Sequence, residues 1–152
     1  MKYVQRYRPK IGIYAGSFNP FHIGHMSVLE QADKIFDKVI VASPKIQEKS
    51  NARTSLQKVL PFHECVEFDG LLVDYIKQVQ KYADVTLIRG LRNGNDLEYE
   101  VNMKRVNCDL AGHTHDTVYF VTDKPHVSST VVRSLRAIEV ECYIPTKYSY
   151  VW

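Results

Sequence analysis

Residues 11–30 read IGIYAGSFNPFHIGHMSVLE, and this stretch decides the fold. An apolar run from Ile11 to Ala15 stops at Gly16. Ser17, Phe18, Asn19 and Pro20 follow, and then His22-Ile23-Gly24-His25. Met26, Val28, Leu29, Ala32, Ile35 and Phe36 recur at helical spacing. Run, glycine turn and stripe predict strand, turn and helix. Such a junction presents backbone N–H groups and a positive helix end to an anion. His22 and His25 are three apart, so at a helix start they share one side. Each imidazole has an N–H for a phosphate oxygen, and a donor aimed at charge developing on phosphorus needs no covalent bond to act. Gly24 between them lets backbone approach a ligand closely. A plain βα turn with two surface histidines would show the histidine spacing alone; Gly16-Ser17-Phe18 just upstream favours the phosphate reading.

Working outward, residues 85–100 read VTLIRGLRNGNDLEYE. Val85 to Ile88 suits a buried parallel strand. Arg89 and Arg92 follow at its end, where open α/β sheets bind ligands. A guanidinium fork grips phosphate oxygens in pairs. Asp96, Glu98 and Glu100 then open the next helix. A third stretch, Val127-Ser128-Ser129-Thr130-Val131-Val132-Arg133, places hydroxyls at a helix start, where they cap amides and bind phosphate. Elsewhere, Val39 to Ala42 reads as the second strand, with a polar loop from Ser43 to Arg53. A short helix is expected over Thr54 to Leu60, a strand over Cys65 to Phe68, and a helical stripe at Leu71, Leu72, Tyr75, Ile76 and Val79. Val101, Met103 and Val106 continue the helix begun at Asp96, and Thr117 to Val121 is the last strand. This alternation predicts an α/β fold with a parallel sheet and helices on both faces.

GSFNPFHIGH resembles the signature of the nucleotidylyltransferase superfamily with the HxGH motif. RGLR followed by D-x-EYE resembles the phosphopantetheine adenylyltransferase family within it, and VSSTVVR resembles the segment that holds the triphosphate. The resemblance runs from about Ile11 to Leu135. It implies a Rossmann-like, doubly wound sheet and transfer of AMP from ATP to 4′-phosphopantetheine, giving dephospho-coenzyme A and pyrophosphate. By position it gives Ser17, Phe18, His22, His25, Gly90, Leu91, Arg92, Glu100, Ser128, Ser129, Thr130 and Arg133 to ATP. It gives Ser17, Lys49, Leu72 and Arg89 to the acceptor, with Lys45 the fallback for Lys49 and Leu71 the alternative to Leu72. His25, Lys49 and Arg89 carry catalysis by charge and positioning. Mg²⁺ is expected on the ATP phosphates, with no dedicated protein ligands.

The chain departs from that family at His22, where Thr is usual, and at Asn19, where Asp is usual. Both substitutions leave nicotinamide mononucleotide open as acceptor, and cytidylyl transfer and a non-catalytic nucleotide-binding domain also stand as alternatives. The loop at Lys124-Pro125-His126 is short, and so is the segment from residue 136 to Trp152.

Composition agrees. The chain has 152 residues, 45% apolar and 24% charged, which fits one domain with an N-terminal arm over 1–10 and a short extension over 136–152. A net charge of +3 argues for neither nucleic acid nor membrane. No apolar run reaches about 18 residues, and MKYVQRYRPK lacks the apolar core of a signal peptide. Cys65, Cys108 and Cys142 are odd in number and far apart, as reduced thiols in a cytoplasm would be. His113 and His115 lack a third ligand, so a solvated loop is the reading there. Ten tyrosines fit amphipathic packing. A homo-oligomer is expected from the family.

Overall fold

The computed structural model describes residues 7–45, 56–112 and 115–145. In chain order these form β1 (Lys10–Ala15), α1 (Ile23–Asp33), β2 (Lys38–Pro44), α2 (Leu56–Val59), β3 (Glu64–Phe68), α3 (Leu72–Gln80), β4 (Asp84–Leu91), α4 (Gly94–Ala111), β5 (Asp116–Val121) and α5 (Ser129–Ala137). The sheet order is β3-β2-β1-β4-β5, and every neighbouring pair is parallel. The expected doubly wound α/β sheet is what the chain forms.

Side chains of a strand alternate between faces, and β1 sorts the core accordingly. Ile11, Ile13 and Ala15 pack with Ile40, Ala42 and Leu87, and with Ile76 and Val79 of α3. Tyr14 points the other way, among Val39, Val41, Ile88 and the α1 residues Met26, Val28 and Leu29. Ile13, Leu29 and Ile88 have no exposed surface; each such side chain contributes about 1.5–3 kcal/mol by burial. Winding reverses between β1 and β4, so the crevice of an open sheet opens at the carboxyl ends of these two strands.

Several boundaries differ from expectation. β4 does not end at Ile88. It runs on through Arg89, Gly90 and Leu91, which pair with Tyr119, Phe120 and Val121 of β5. The extra pairing is allowed because Gly90 lies against Val28 of α1; a Cβ there would sit 2.9 Å from Val28 Cγ2. α4 begins at Gly94 rather than Asp96, because the Asn93 side chain caps it by accepting from the Asp96 amide. α1 ends at Asp33, which leaves Ile35 60% exposed. Ser43 and Pro44 belong to β2 and Lys45 follows it directly, whereas the rest of the expected loop, with Lys49 and Arg53, lies outside the described residues. So do His113 and residues 146–152. α5 enters the expected C-terminal extension as far as Ala137, and beyond it the Ile23 amide donates to the Tyr143 carbonyl at 2.9 Å.

Candidate active site

The two histidines close the start of α1 on each other. His22 is the N-cap, and its Nδ1 accepts from the amides of Gly24 at 3.1 Å and His25 at 3.4 Å. His25 answers: its Nδ1 accepts from the His22 amide at 3.2 Å. This is a capping box built from two imidazoles. The rings stack with centroids 3.7 Å apart, and Gly24 makes room, since a Cβ there would meet the His22 ring at 2.9 Å. A nitrogen that accepts from an amide carries no proton, so each ring keeps its proton on Nε2. Burial, and then the charge of Arg92, push the His22 pKa down to about 4. Burial, followed by His22 and Arg89, holds His25 well below its ordinary value. Both rings are therefore neutral Nε2–H donors near neutral pH.

One sequence expectation is corrected here. The first amides of α1 are not open to an anion. Gly24 and His25 are capped by His22, and Ile23 by Tyr143. Anion binding at this junction falls to the imidazoles, because a histidine cap satisfies the amides that a smaller turn would leave free. The open helix start is that of α5. There the Ser128 hydroxyl accepts from the Val131 amide, while Ser129 and Thr130 supply the first helical amides. The Ser129 hydroxyl donates to the Pro20 carbonyl at 3.1 Å, and Arg133 Nη1 donates to the Asn19 carbonyl at 2.6 Å. The third motif is thus clamped onto the first.

A cavity of about 340 Å³ lies between these parts, lined by Ser17, Phe18, His22, His25, Gly90, Leu91, Arg92, Ser128, Ser129 and Thr130 among others. Arg89 lines it too. A second cavity, about 170 Å³, meets Arg89 from the α4 side and includes Leu72, Leu87, Glu100, Met103, Lys104 and Tyr119. Arg89 Nε and Nη2 donate to the two Glu100 carboxylate oxygens at 2.8 and 2.7 Å, and Nη1 donates to the Ala15 carbonyl at 2.6 Å. Burial works against the Arg89 charge, but the bonds to Glu100 more than offset it and raise its pKa above the ordinary value.

The expected residues therefore divide. Most of the ATP set surrounds the larger cavity. Leu72, not Leu71, lines the smaller one with Arg89. Glu100 lines the smaller cavity in its pair with Arg89, and Arg133 acts on the Asn19 loop rather than lining either cavity. Lys45 is exposed at the end of β2, its amide bonded to the Phe68 carbonyl. Tyr14, Asp96 and Thr122 line the larger cavity and were not expected there. Tyr14 alternates out of the β1 run; Thr122 follows β5 directly, and its hydroxyl donates to the Gly24 carbonyl at 3.4 Å. Asp96 holds Arg92, accepting from its amide at 2.9 Å and its Nε at 3.1 Å.

Parallel sheet, switch-point crevice, paired imidazoles and an open hydroxyl-bearing helix start describe a nucleotide-binding transferase fold. Residues 13–135 match the family model described as cytidylyltransferase-like. Three phosphopantetheine adenylyltransferases are similar over most of their length. That of Actinobacillus pleuropneumoniae serotype 5b is 38% identical over 81% of this chain and 82% of its own. That of Helicobacter pylori is 37% identical over 84% and 86%, and that of Geotalea daltonii 33% identical over 90% of each. The chain belongs to the cytidylyltransferase-like family, on its phosphopantetheine adenylyltransferase branch. A solved Vibrio parahaemolyticus protein, provisionally named a nicotinate-nucleotide adenylyltransferase, superposes with a TM-score of 0.62 at 19% identity, covering 88% of this chain and 83% of that one. NadR bound to NAD and AMP-PNP superposes at 0.54 with 17% identity, covering 86% and 43%. These two likenesses are of fold.

Proposed function

We propose that the chain transfers AMP from ATP to 4′-phosphopantetheine, forming dephospho-coenzyme A and releasing pyrophosphate. The observation that carries this reading is the placement of Arg89 between two unlike cavities. The larger is ringed by phosphate-binding groups. The smaller pairs the apolar Leu72, Leu87 and Met103 with the hydroxyls of Thr117 and Tyr119, which are buried without a partner. Buried unpaired hydroxyls cost free energy until a ligand's polar group meets them. A long, amide-bearing arm, with apolar stretches for Leu72, Leu87 and Met103 and polar groups for Thr117 and Tyr119, suits such a chamber.

The acceptor's phosphate oxygen attacks the α-phosphorus of ATP, the new P–O bond forms, and the bond to the pyrophosphate oxygen breaks. His25 Nε2–H donates to the α-phosphate as charge builds there. Arg92, fixed by Asp96, the amides of Ser129 and Thr130 and the Thr130 hydroxyl hold the outer phosphates. Arg89 holds the acceptor phosphate, with Lys49 as its partner in that role. Mg²⁺ neutralises phosphate charge when bound. Among the described residues no group of three His, Cys, Asp or Glu gathers to hold a metal, and the Asp96 carboxylate is committed to Arg92, so the phosphates themselves would be its main ligands. A cytoplasmic homo-oligomer completes the reading. It is supported by the free thiols of Cys65, Cys108 and Cys142, by the lack of a membrane-crossing helix among the described residues, and by an exposed apolar stripe on α4.

Pyrophosphate release measured with ATP or CTP, against 4′-phosphopantetheine or nicotinamide mononucleotide, tests it. Release is expected only with ATP and phosphopantetheine together. Release with the mononucleotide alone, or with CTP alone, would replace the reading by one of its alternatives.

A further inference from the structure

Tyr14 is the last β1 residue on the α1 face of the sheet, and the steps above leave its hydroxyl without a task. Its ring packs among Leu29, Val41 and Ile88. It also meets the Phe18 and His25 rings edge-on, with centroids 5.0 and 6.4 Å away. Phenylalanine would fill that space as well. The residue is 3% exposed, yet among the described residues no hydrogen bond within the protein reaches the hydroxyl. A buried hydroxyl without a partner costs free energy, so it needs a reason that packing does not supply. The residue lines the larger cavity with His25 and Gly90. Its oxygen lies 3.5 Å from where a Cβ on Gly90 would stand. Burial pushes the phenol above its ordinary pKa, and the Arg89 charge opposes this only in part. The oxygen therefore keeps its proton and is a donor. It stands near both the charge that holds the acceptor phosphate and the imidazole that meets the α-phosphate.

We propose that Tyr14 is a further catalytic residue: its O–H donates from the end of β1 to a non-bridging oxygen of the α-phosphate, beside the donor that His25 supplies from α1. As the acceptor oxygen closes on the phosphorus and the pyrophosphate oxygen leaves, charge shifts over the non-bridging oxygens. A donor already fixed by the core stabilises that charge without reorganising. The proton stays on the phenol throughout, and nothing is transferred to or from the side chain. The proposal rests on the reading that AMP is transferred in this cavity.

Single-turnover kinetics of Tyr14→Phe tests it, since phenylalanine keeps the ring and removes only the hydroxyl. The chemical step is expected to slow at least about ten-fold, the scale of one lost neutral donor, with the acceptor KM essentially unchanged. The thermal midpoint of the ligand-free variant should equal or exceed the parent's, because an unpaired buried hydroxyl has been removed. A second measurement reads the contact itself. Sulfur in place of one non-bridging α-oxygen of ATP is a poorer hydrogen-bond acceptor, so at least one of the two diastereomers should slow the parent, whether or not the variant folds. It should slow Tyr14→Phe by a smaller factor, because the donor is already gone there. An unchanged chemical step in Tyr14→Phe, an equal sulfur effect in variant and parent, or a parent indifferent to both diastereomers would each overturn the proposal. So would a slowed step that comes with a lowered thermal midpoint, which would assign the hydroxyl to the fold. A parent that releases no pyrophosphate from ATP and 4′-phosphopantetheine would remove the underlying reading, and the proposal with it. A parent that turns over, beside an unaffected Tyr14→Phe, would overturn the proposal alone.

Discussion

His25 can donate through Nε2 only while its Nδ1 accepts from the His22 amide, so the cap and the chemistry share one ring. His25→Ala is expected to cut turnover about 10²–10³-fold, the usual loss for one donor to a developing anion; single-turnover measurement at saturating substrate checks it. His22 gives a pH prediction. Its folded pKa of about 4 lies below the ordinary histidine value of 6.5, so between these values the unfolded chain binds the proton and the folded chain does not. Stability from this group is full above about pH 6.5 and is lost as pH falls toward about 4. His22→Asn keeps a side chain that caps well and should flatten the fall of thermal midpoint over that window; an unchanged slope would contradict the assignment. At this scale the sequence was informative about residue type but not about partner. The spacing of His22 and His25 showed that they share a side, but no spacing shows that each caps the other, or that Tyr143, 121 positions beyond His22 in the numbering of the chain, would take the remaining amide.

The elements that meet at the site do so through close approaches. β4 reaches α1 at Gly90, where a methyl group would press on Val28. Gly90→Ala should destabilise by about 1–3 kcal/mol, as overpacking does, and should weaken ATP binding because β4 carries Arg89 and Leu91 into the cavity. Denaturant unfolding and nucleotide titration read the two effects separately. Ser128→Ala removes the cap of α5 and should cost about 1 kcal/mol, again checked by denaturant midpoint. Strand and helix order was legible because period-2 and helical patterns differ cleanly, and β3 and β5 fall within one residue of expectation at each end. The length of β4 was not legible. Arg89 and Gly90 read as turn residues by composition, and only pairing with β5 keeps them in the sheet. The α4 start was missed for a similar reason: Asn93 and Gly94 look like loop until the Asn93 side chain is seen capping the helix.

For the whole molecule, topology does the functional work. Reversal of winding between β1 and β4 opens the crevice, and the clamp of Ser129 and Arg133 on the Pro20 and Asn19 carbonyls closes its rim. Tyr99, Val106 and Leu110 are 64%, 48% and 62% exposed along α4, which is a large apolar stripe for an uncovered helix. Light scattering is expected to give a mass above that of one chain, and a Val106→Glu/Leu110→Glu variant should shift it toward the monomer. The fold class was legible in the sequence because strand–helix alternation admits few topologies. The division of the site into two cavities was not, since it depends on which way Arg89 and Glu100 turn. The central claim, transfer of AMP between those cavities, is tested most directly with ATP labelled at the α-phosphorus. In the presence of 4′-phosphopantetheine the label should appear in a product with the mass of dephospho-coenzyme A, one pyrophosphate for each, and none on the protein after acid quench. Label that stays in ATP, or that is trapped covalently on the chain, would contradict the account.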